Sequence, residues 1–497
     1  MPSPARLSKS QFIRGLQCHK ALWLYRNRKD LIPEAAPAQQ MIFDQGHEVG
    51  ILAQRRFPGG VLISEGHTQT AQSLASTQAA VEAGARVLYE AGAVHDNILV
   101  RADIIAKTKD KKAWDLIEVK SSTEVKDVYL QDVAVQLYVL EGAGFPIRKA
   151  FLMHVNNEYV RKGPIDPRGL FALEDVTEEA RELQETVPKE LKAMQAMLAK
   201  SQAPSIEIGT QCFSPYACDF QDHCWAKVPE YSVFNLGGAR MEKKFGWWHE
   251  GIKAVADIPE DGLSRAQGLQ VKVAKSKKPH IDVVRIAKVL GELAYPLFFL
   301  DFETINLALP PYDGLRPYQQ MTFQASIHVQ ERKNGPLRHV EYLGEGRSDP
   351  RPGMAAYLAE TIGPKGTVVA YNAGFEGQCL GGLAASFPKY AKSLLSAKER
   401  LWDLGTPFRR ALYVHPKFRG SWSIKVVLPT LVPDMSYDKL AIGNGGDAQL
   451  AYLSLMMDSP SARERARTLR NLKEYCGQDT MAMVKVLATI QKLSHEG

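Results

Sequence analysis

NILVRADIIAKTKDKKAWDLIEVKSSTEVKDVYLQDVAVQLYVL, residues 97–140, changes from strand-like to helix-like character in an order that decides the first half of the fold. Ile98 to Ile105 and Trp114 to Lys120 are apolar-rich runs of strand length, and the polar stretch from Lys107 to Lys112 separates them as a turn. The two-residue period of the second strand puts Trp114, Leu116, Glu118 and Lys120 on one face and Ile117 and Val119 on the other. Paired as a hairpin, the strands bring Asp103 within reach of Glu118. A helix expected from about Asp127 to Leu140 carries Asp132 and Gln136 one turn apart, so both can face the point where Asp103, Glu118 and Lys120 gather.

Two carboxylates beside a lysine suit hydrolysis of a phosphodiester. The acids hold Mg2+ or Mn2+ through hard oxygen ligands, and the lysine offsets charge on the phosphorane or orients the attacking water. Magnitude favours a metal: side-chain proton transfer supplies roughly 10²- to 10⁴-fold, whereas uncatalysed phosphate ester hydrolysis can need up to about 10²¹. The competing reading is a surface hairpin on which Glu118 and Lys120 form a solvated pair. The rest of the chain has to decide between them.

A chain of 497 residues suggests about three domains. Hydrophobic content of 45% and charged content of 24% are those of an ordinary globular protein, and a net charge of +7 permits a polyanionic partner without demanding one. MPSPARLSKSQF at the amino terminus has no apolar core of signal-peptide length, and nowhere do 18 apolar residues run together, so the expectation is a cytoplasmic protein without membrane contact. Cys18 stands apart, Cys212, Cys218 and Cys224 form a tight group, and Cys379 and Cys476 lie in the last third. Grouped cysteines in such a chain indicate metal or redox chemistry more than disulfides.

Upstream of the hairpin, a helix capped by Ser8 or Ser10 is expected through roughly Tyr25, with Cys18 inside it. A second helix, about Gln40 to Arg56, carries Gly46-His47-Glu48. Arg86 to Glu90 reads as a strand, Lys149 to Val155 as another, and a long charged helix from Thr177 to Lys200 leads to GTQCFSPYACDFQDHCW. Four thiolates hold [4Fe-4S] or zinc equally well by count, with His19 or His223 as further zinc ligands.

Cys18 with Cys212, Cys218 and Cys224 resembles the split four-cysteine iron-sulfur clasp of RecB-type nucleases, such as the AddB subunit and the CRISPR-adaptation exonucleases. Their motifs fall in the order found here: G-H at Gly46-His47, D at Asp103, and E-x-K at Glu118 and Lys120. The resemblance covers roughly residues 8 to 225 and implies an α/β PD-(D/E)XK nuclease domain over 1–225, with His47, Asp103 and Glu118 as metal ligands. It favours a structural [4Fe-4S] cluster over zinc. Where the family has Q-x-x-x-Y, this helix offers Asp132 and Gln136.

Residues 226–295 read as a small helical linker, weakly similar to a helical hairpin that grips nucleic-acid backbone, with a basic run at Lys272, Lys275, Lys277 and Lys278. Beyond it, LFFLDFETI over 297–305 is a buried strand that puts Asp301 and Glu303 on one face. Strands at Thr322 to Gln330, His339 to Leu343 and Thr367 to Tyr371 follow, then YNAGFEGQCL opening a helix, and a late helix with Tyr475 and Asp479 at i and i+4. This order resembles the RNase H-like fold of DnaQ-type DEDD exonucleases, and implies a domain over 296–497. Its D-x-E motif maps to Asp301 and Glu303, N-x-x-F-D to Asn372, Phe375 and Glu376, and Y-x-x-x-D to Tyr475 and Asp479.

The resemblance implies two metal ions on Asp301, Glu303, Glu376 and Asp479, with Tyr475 positioning water. Glu376 stands where the family has Asp, one methylene longer. Ser421, Lys425 and Trp422 in GSWSIKVVLPTL are candidates for phosphate contact and base stacking, with core packing the favoured role for Trp422. The expected function is a metal-dependent exonuclease on single-stranded or unwound DNA, in repair or defence against foreign DNA. An RNA-processing nuclease and a nucleic-acid-binding scaffold with degenerate sites are the alternatives.

Overall fold

A computed structural model describes residues 6–66, 68–458 and 460–494. Residues 1–5 of the amino-terminal stretch read for targeting lie outside them. The architecture is mixed α/β, in two compact units: 1–227 with 307–319, and 228–306 with 320–497. The segment set apart at 226–295 therefore belongs, from Val228 on, to the second unit, and 307–319 to the first. Among the described residues no helix is long and apolar enough to cross a membrane.

The first unit is built on a seven-stranded sheet. Its strands are β1 (Leu7–Ser8), β2 (Val61–Leu62), β3 (Val87–His95), β4 (Ile98–Lys107), β5 (Trp114–Lys120), β6 (Ile147–Val155) and β7 (Phe171–Asp175), in the order β2-β3-β4-β5-β6-β7 with β1 beside β4. The strand read as ending at Glu90 runs on to His95, because Asp96 and Asn97, at φ 46° and 61°, make the tight two-residue turn that joins β3 to β4. β4 and β5 pair antiparallel through Ile104–Ile117 and Ile105–Leu116. β5 and β6 run parallel, which requires a crossover, and the helix Asp127–Gly142 supplies it.

The helix predicted from Ser8 to Tyr25 is two helices, α1 (Lys9–Gln17) and α2 (His19–Asn27). Ser8 and Gln11 form a reciprocal capping box at the start of α1, and the break falls at Cys18, whose backbone is extended at φ −164° and ψ 117°. The long helix predicted at 177–200 is likewise two, Thr177–Gln184 and Val187–Leu198, the second with Pro in its first turn. With α3 (Pro37–Gln54) and α4 (Thr70–Glu82) between them, the crossover helix is α5.

Trp114 and Leu116 share a core with Leu137 and Leu140 of α5 and Phe12 of α1, whereas Ile104 and Ile117 pack with Val49, Leu52 and Ala53 of α3. Glu118, of the same parity as Trp114 and Leu116, therefore points towards α5. That helix is buried on several sides, so Asp132 at 8% exposure and Gln136 at 0% need polar partners inside the unit.

The second unit holds a five-stranded sheet of β9 (Leu297–Ile305), β10 (Met321–Gln330), β11 (Leu337–Leu343), β12 (Thr367–Ala370) and β13 (Leu401–Asp403), ordered β11-β10-β9-β12-β13. A two-stranded ribbon pairs β8 (His280–Ile281) with β14 (Tyr413–Val414). β9 is antiparallel to β10 and parallel to β12. Leu297 and Phe299 pack with Val486 and Leu487 of the terminal helix, Ala462–Leu493, while Phe298 and Leu300 meet Met354 and Leu380 on the opposite face. Asp301 and Glu303 continue the parity of Leu297 and Phe299, so they face the terminal helix. In the basic run, Lys272 and Lys275 belong to the helix Arg265–Ser276 and lie 3.7 and 3.4 Å from Glu260.

Candidate functional site

The structure brings Asp103, Glu118 and Lys120 to one place and adds groups that strand periodicity does not identify. The β4–β5 register puts Asp103 next to Glu118, and Asp103 Oδ2 accepts the Val119 N–H at 2.7 Å. Glu118 is 2% exposed. Its Oε1 accepts from Lys120 Nζ at 2.7 Å and from Lys9 Nζ at 2.8 Å, and its Oε2 from Gln136 Nε2 at 2.7 Å. Lys120 also donates to Asp132, and Lys9 lies 3.2 Å from Asp132 Oδ1. Asp132 and Gln136 thus find their partners in the β5 pair, and Lys9, contributed by the first turn of α1, completes the set.

Burial pushes the Glu118 carboxyl up, but Lys120 and Lys9 overcome it and hold the group well below the usual carboxylate range. Burial together with the Glu118 charge pushes Asp103 and Asp132 the other way, well up for Asp103. Burial would lower Lys120, yet Glu118, Asp132 and Asp103 raise it well above an ordinary lysine. An ammonium held that firmly protonated acts as a charge, not as a base. Burial first, and then the charge of Glu118, makes ionising Asp103 and Asp132 costly despite the two lysines.

Opposite Asp103 in the β3–β4 ladder stands Glu90, where the pairing is interrupted between Tyr89–Ile104 and Ala91–Ala102 and the backbone turns left-handed at φ 59°. Burial raises the Glu90 carboxyl, against the pull of Arg101, Lys9 and His47. His47 itself is exposed on α3 and forms no hydrogen bond or ion pair among the described residues. It lies at the edge of the site, not among the bonded acids.

In the second unit, Asp301, Glu303, Glu376 and Asp479 converge although they come from three elements. Polar bonds fix the terminal helix against β10: Ser326 Oγ and His328 Nδ1 each lie 2.8 Å from Thr480 Oγ1, and Gln324 Nε2 donates to Leu472 O at 2.9 Å. This holds Tyr475, Cys476 and Asp479 over Asp301 and Glu303. One oxygen of each of those two acids and Cys476 Sγ lie within 4.8 Å of one another. Glu376, on the helix Gly374–Ser386, is 3% exposed, and its Oε2 has no hydrogen-bond partner among the described residues.

Burial raises all four carboxyls. Asp301 is lifted further by Asp479, Glu303 and Glu376. Glu303 is pushed up to about 8 by burial and Asp479, and Glu376 to about 8 by burial and Asp403. Lys425 draws Glu303 and Asp479 down, and its ammonium sits 5.6 Å from the Tyr437 ring and 5.7 Å from the Tyr475 ring. Tyr437, absent from the sequence reading, donates to Asp479 Oδ1 at 2.5 Å. Burial keeps both phenols protonated far above neutrality. Asp403 is committed elsewhere, to Arg409 at 2.7 Å and the Gly405 N–H at 2.8 Å. The Trp422 carbonyl accepts from Tyr371, and Arg409 stands 5.3 Å over the Trp422 ring.

Cys18, Cys212, Cys218 and Cys224 line one cavity with Lys20 and Phe220, and all four are free thiols. Burial, then the field of the other three, raises Cys218. Among the described residues the one trio of candidate ligand atoms within 4.8 Å of one another is that of Asp301, Glu303 and Cys476. No three of the four sulfurs therefore all lie within 4.8 Å of one another, whereas tetrahedral zinc with roughly 2.3 Å bonds sets its ligands roughly 3.8 Å apart.

Residues 298–423, which include Asp301, Glu303 and Glu376, match the model of a domain of unknown function, DUF2779. The chain is 25% identical over 289 residues to the uncharacterized protein UU173 of Ureaplasma parvum serovar 3, a match covering 54% of this chain and 41% of that protein. It is 26% identical over 206 residues to the uncharacterized MG366 homolog of Mycoplasma pneumoniae, covering 38% and 31%. The match thus spans less than half the length of either curated relative.

Proposed function

We propose that this protein is a metal-dependent nuclease that hydrolyses phosphodiester bonds, acting as an exonuclease on single-stranded or unwound DNA. The observation that carries the reading is the convergence of the half-buried Asp301 with the buried Glu303, Glu376 and Asp479, with Lys425 to balance them. A cluster of that charge is stable either protonated or around a cation, and the unpartnered Glu376 Oε2 is an oxygen available for coordination. Mg2+ or Mn2+ held by these four acids would supply water of lowered pKa and neutralise the phosphorane. The chain's own contribution is orientation. Tyr475 and Tyr437, held as neutral phenols, donate hydrogen bonds at the site, and Lys425 adds a positive charge beside them.

In this reading the second unit is an RNase H-like domain of the DnaQ type and the first a RecB-like PD-(D/E)XK nuclease domain. Asp103 and Glu118, with His47 at the rim, would hold a divalent ion, and the excess acid around Asp103 and Asp132 is what that ion would balance. Lys120, fixed as a cation, offsets charge on the reacting phosphate. Cys18, Cys212, Cys218 and Cys224, which line one cavity, would hold a [4Fe-4S] cluster that clips α1 and α2 to the end of the unit. We place the enzyme in the cytoplasm, in DNA repair or defence against foreign DNA.

Incubating the purified chain with end-labelled single-stranded DNA and with RNA, in Mg2+, in Mn2+ and in EDTA, tests the proposal. Metal-dependent shortening of DNA is the expected result. Shortening of RNA alone would make it an RNA-processing nuclease, and binding without hydrolysis a scaffold.

A further inference from the structure

The first unit includes a strap, Leu307–Gln319, that the chain contributes from far downstream. It is held along its whole length. The guanidinium of Arg161 donates to the carbonyls of Pro310 and Pro311 at 2.8 and 2.7 Å, its N–H donates to Leu315 O at 3.0 Å, and the Gly163 N–H donates to Asp313 Oδ1 at 2.8 Å. At one end the Ala308 N–H donates to Gln45 Oε1 at 3.0 Å, two residues before His47. At the other, the Tyr318 hydroxyl donates to the carbonyl of Ser121, the residue after Lys120. The strap therefore runs from the His47 helix to the strand end that carries Glu118 and Lys120.

Tyr318 reaches that bond with a left-handed backbone, φ 58°, a conformation of sustained cost for a bulky side chain. Beside it is a cavity of about 520 Å³, lined by Ser122, Thr123, Glu124 and Lys126 from the β5–α5 loop and by Arg316 and Tyr318 from the strap. Arg316 is exposed, and its guanidinium has no hydrogen-bond or ion-pair partner among the described residues. Lys126 has only Glu124, 4.0 Å away and 71% exposed. An exposed arginine guanidinium and a lysine, with the Ser122 and Thr123 side chains in the loop that follows Lys120, are of the types that bind phosphate.

We infer that this cavity is a backbone subsite for single-stranded nucleic acid, in which Arg316 and Lys126 grip the phosphate flanking the one presented to Lys120. The inference rests on the nuclease reading of the first unit, and deepens it by naming the residues that hold the strand. Both cations are exposed and unneeded by the fold, so their replacement leaves melting unchanged.

The test is binding of a 5′-fluorescein-labelled thymidine 20-mer to the full chain, read by anisotropy in EDTA, alongside Mn2+-dependent cleavage. Arg316→Glu and Lys126→Glu are each expected to weaken binding about tenfold and to lower the slope of log affinity against log salt by about one. Arg316→Lys restores most of the binding. Wild-type binding and cleavage with both charge reversals binding normally would overturn the subsite and leave the nuclease reading standing. A wild-type chain that neither binds the oligonucleotide nor cleaves it removes both.

Discussion

Lys9 Nζ lies 2.8 Å from Glu118 Oε1, on the same oxygen that accepts from Lys120, although the two residues are separated by 109 positions. Lys9 stands between Glu118 and Asp132, so on the metal-binding reading proposed above it would share these acids with the ion. Removing Lys9 leaves Lys120, among the described residues, as the one lysine on the buried Glu118 and Asp132. Lys9→Met is expected to destabilise the first unit in EDTA by about 3 kcal/mol, the lower end for a broken buried pair because the Lys9 side chain is 22% exposed. Millimolar Mn2+ should recover more stability in this variant than in the wild type. Thermal melts with and without Mn2+ decide it, and an equal response to the ion in both proteins would show that no cation seats there.

The two acid clusters predict separable activities. Lys120→Ala removes a fixed charge from the first site and Asp301→Ala a ligand from the second, each expected to cost its own cleavage activity at least about 10²- to 10³-fold. Lys120→Ala takes a partner from Glu118 and Asp132 and should melt earlier than the parent in EDTA, as Lys9→Met should, so its cooperative melt is checked alongside cleavage. Digestion by the double variant at the parental rate would remove the assignment of both sites.

Much of this placement was legible because it follows from strand parity. Glu118 is on the face of Trp114 and Leu116, and Asp301 and Glu303 are on that of Leu297 and Phe299, so a period of two located the acids before any contact was known. Lys9 was not legible, since nothing about a capping box at Ser8 says which strand end its helix will meet. Nor was Glu90: a left-handed residue inside a strand contradicts the alternation by which strands are read. Cys18 interrupted what looked like one helix, because helical propensity on both sides hides a single extended residue. The strap at 307–319 follows from tertiary packing alone.

The raised carboxyls of the second unit fix a pH dependence. Burial and Asp479 push Glu303 up to about 8, and burial and Asp403 push Glu376 to about 8, against 4.5 for an ordinary glutamate. Between those values the folded chain binds more protons than the unfolded one, so stability falls as pH rises. The contribution is complete below about pH 4.5 and lost as pH passes about 8. In EDTA the melting temperature should drop by roughly 5–10 °C between pH 5 and 8.5. A bound divalent ion favours the ionised acids and should flatten the curve. Glu303→Gln with Glu376→Gln should fall less steeply in EDTA, since only Asp301 and Asp479 of the four still titrate there, and should lose the second unit's share of the response to Mn2+. Identical pH profiles with and without the ion in the wild type would count against a metal at this site.

Four thiols around one cavity make the last prediction. Cys18 is at the break between α1 and α2, Cys212 ends a single turn of 3-10 helix, the Cys218 N–H donates to the Cys212 carbonyl at 3.0 Å, and Cys224 lies in the helix Gln221–Trp225. A group held by all four closes a loop of roughly 200 residues, and limits the unfolded chain by about 5 kcal/mol on the loop-entropy argument. The protein is expected to be brown when prepared without oxygen, with about four irons per chain and broad absorbance near roughly 400 nm. Cys218→Ser should lose the colour and melt earlier, while the acids of the second unit, which share no element with the thiols, keep their Mn2+ response. A colourless chain holding one zinc would sink the cluster, and would require the sulfurs to close to tetrahedral spacing around the ion.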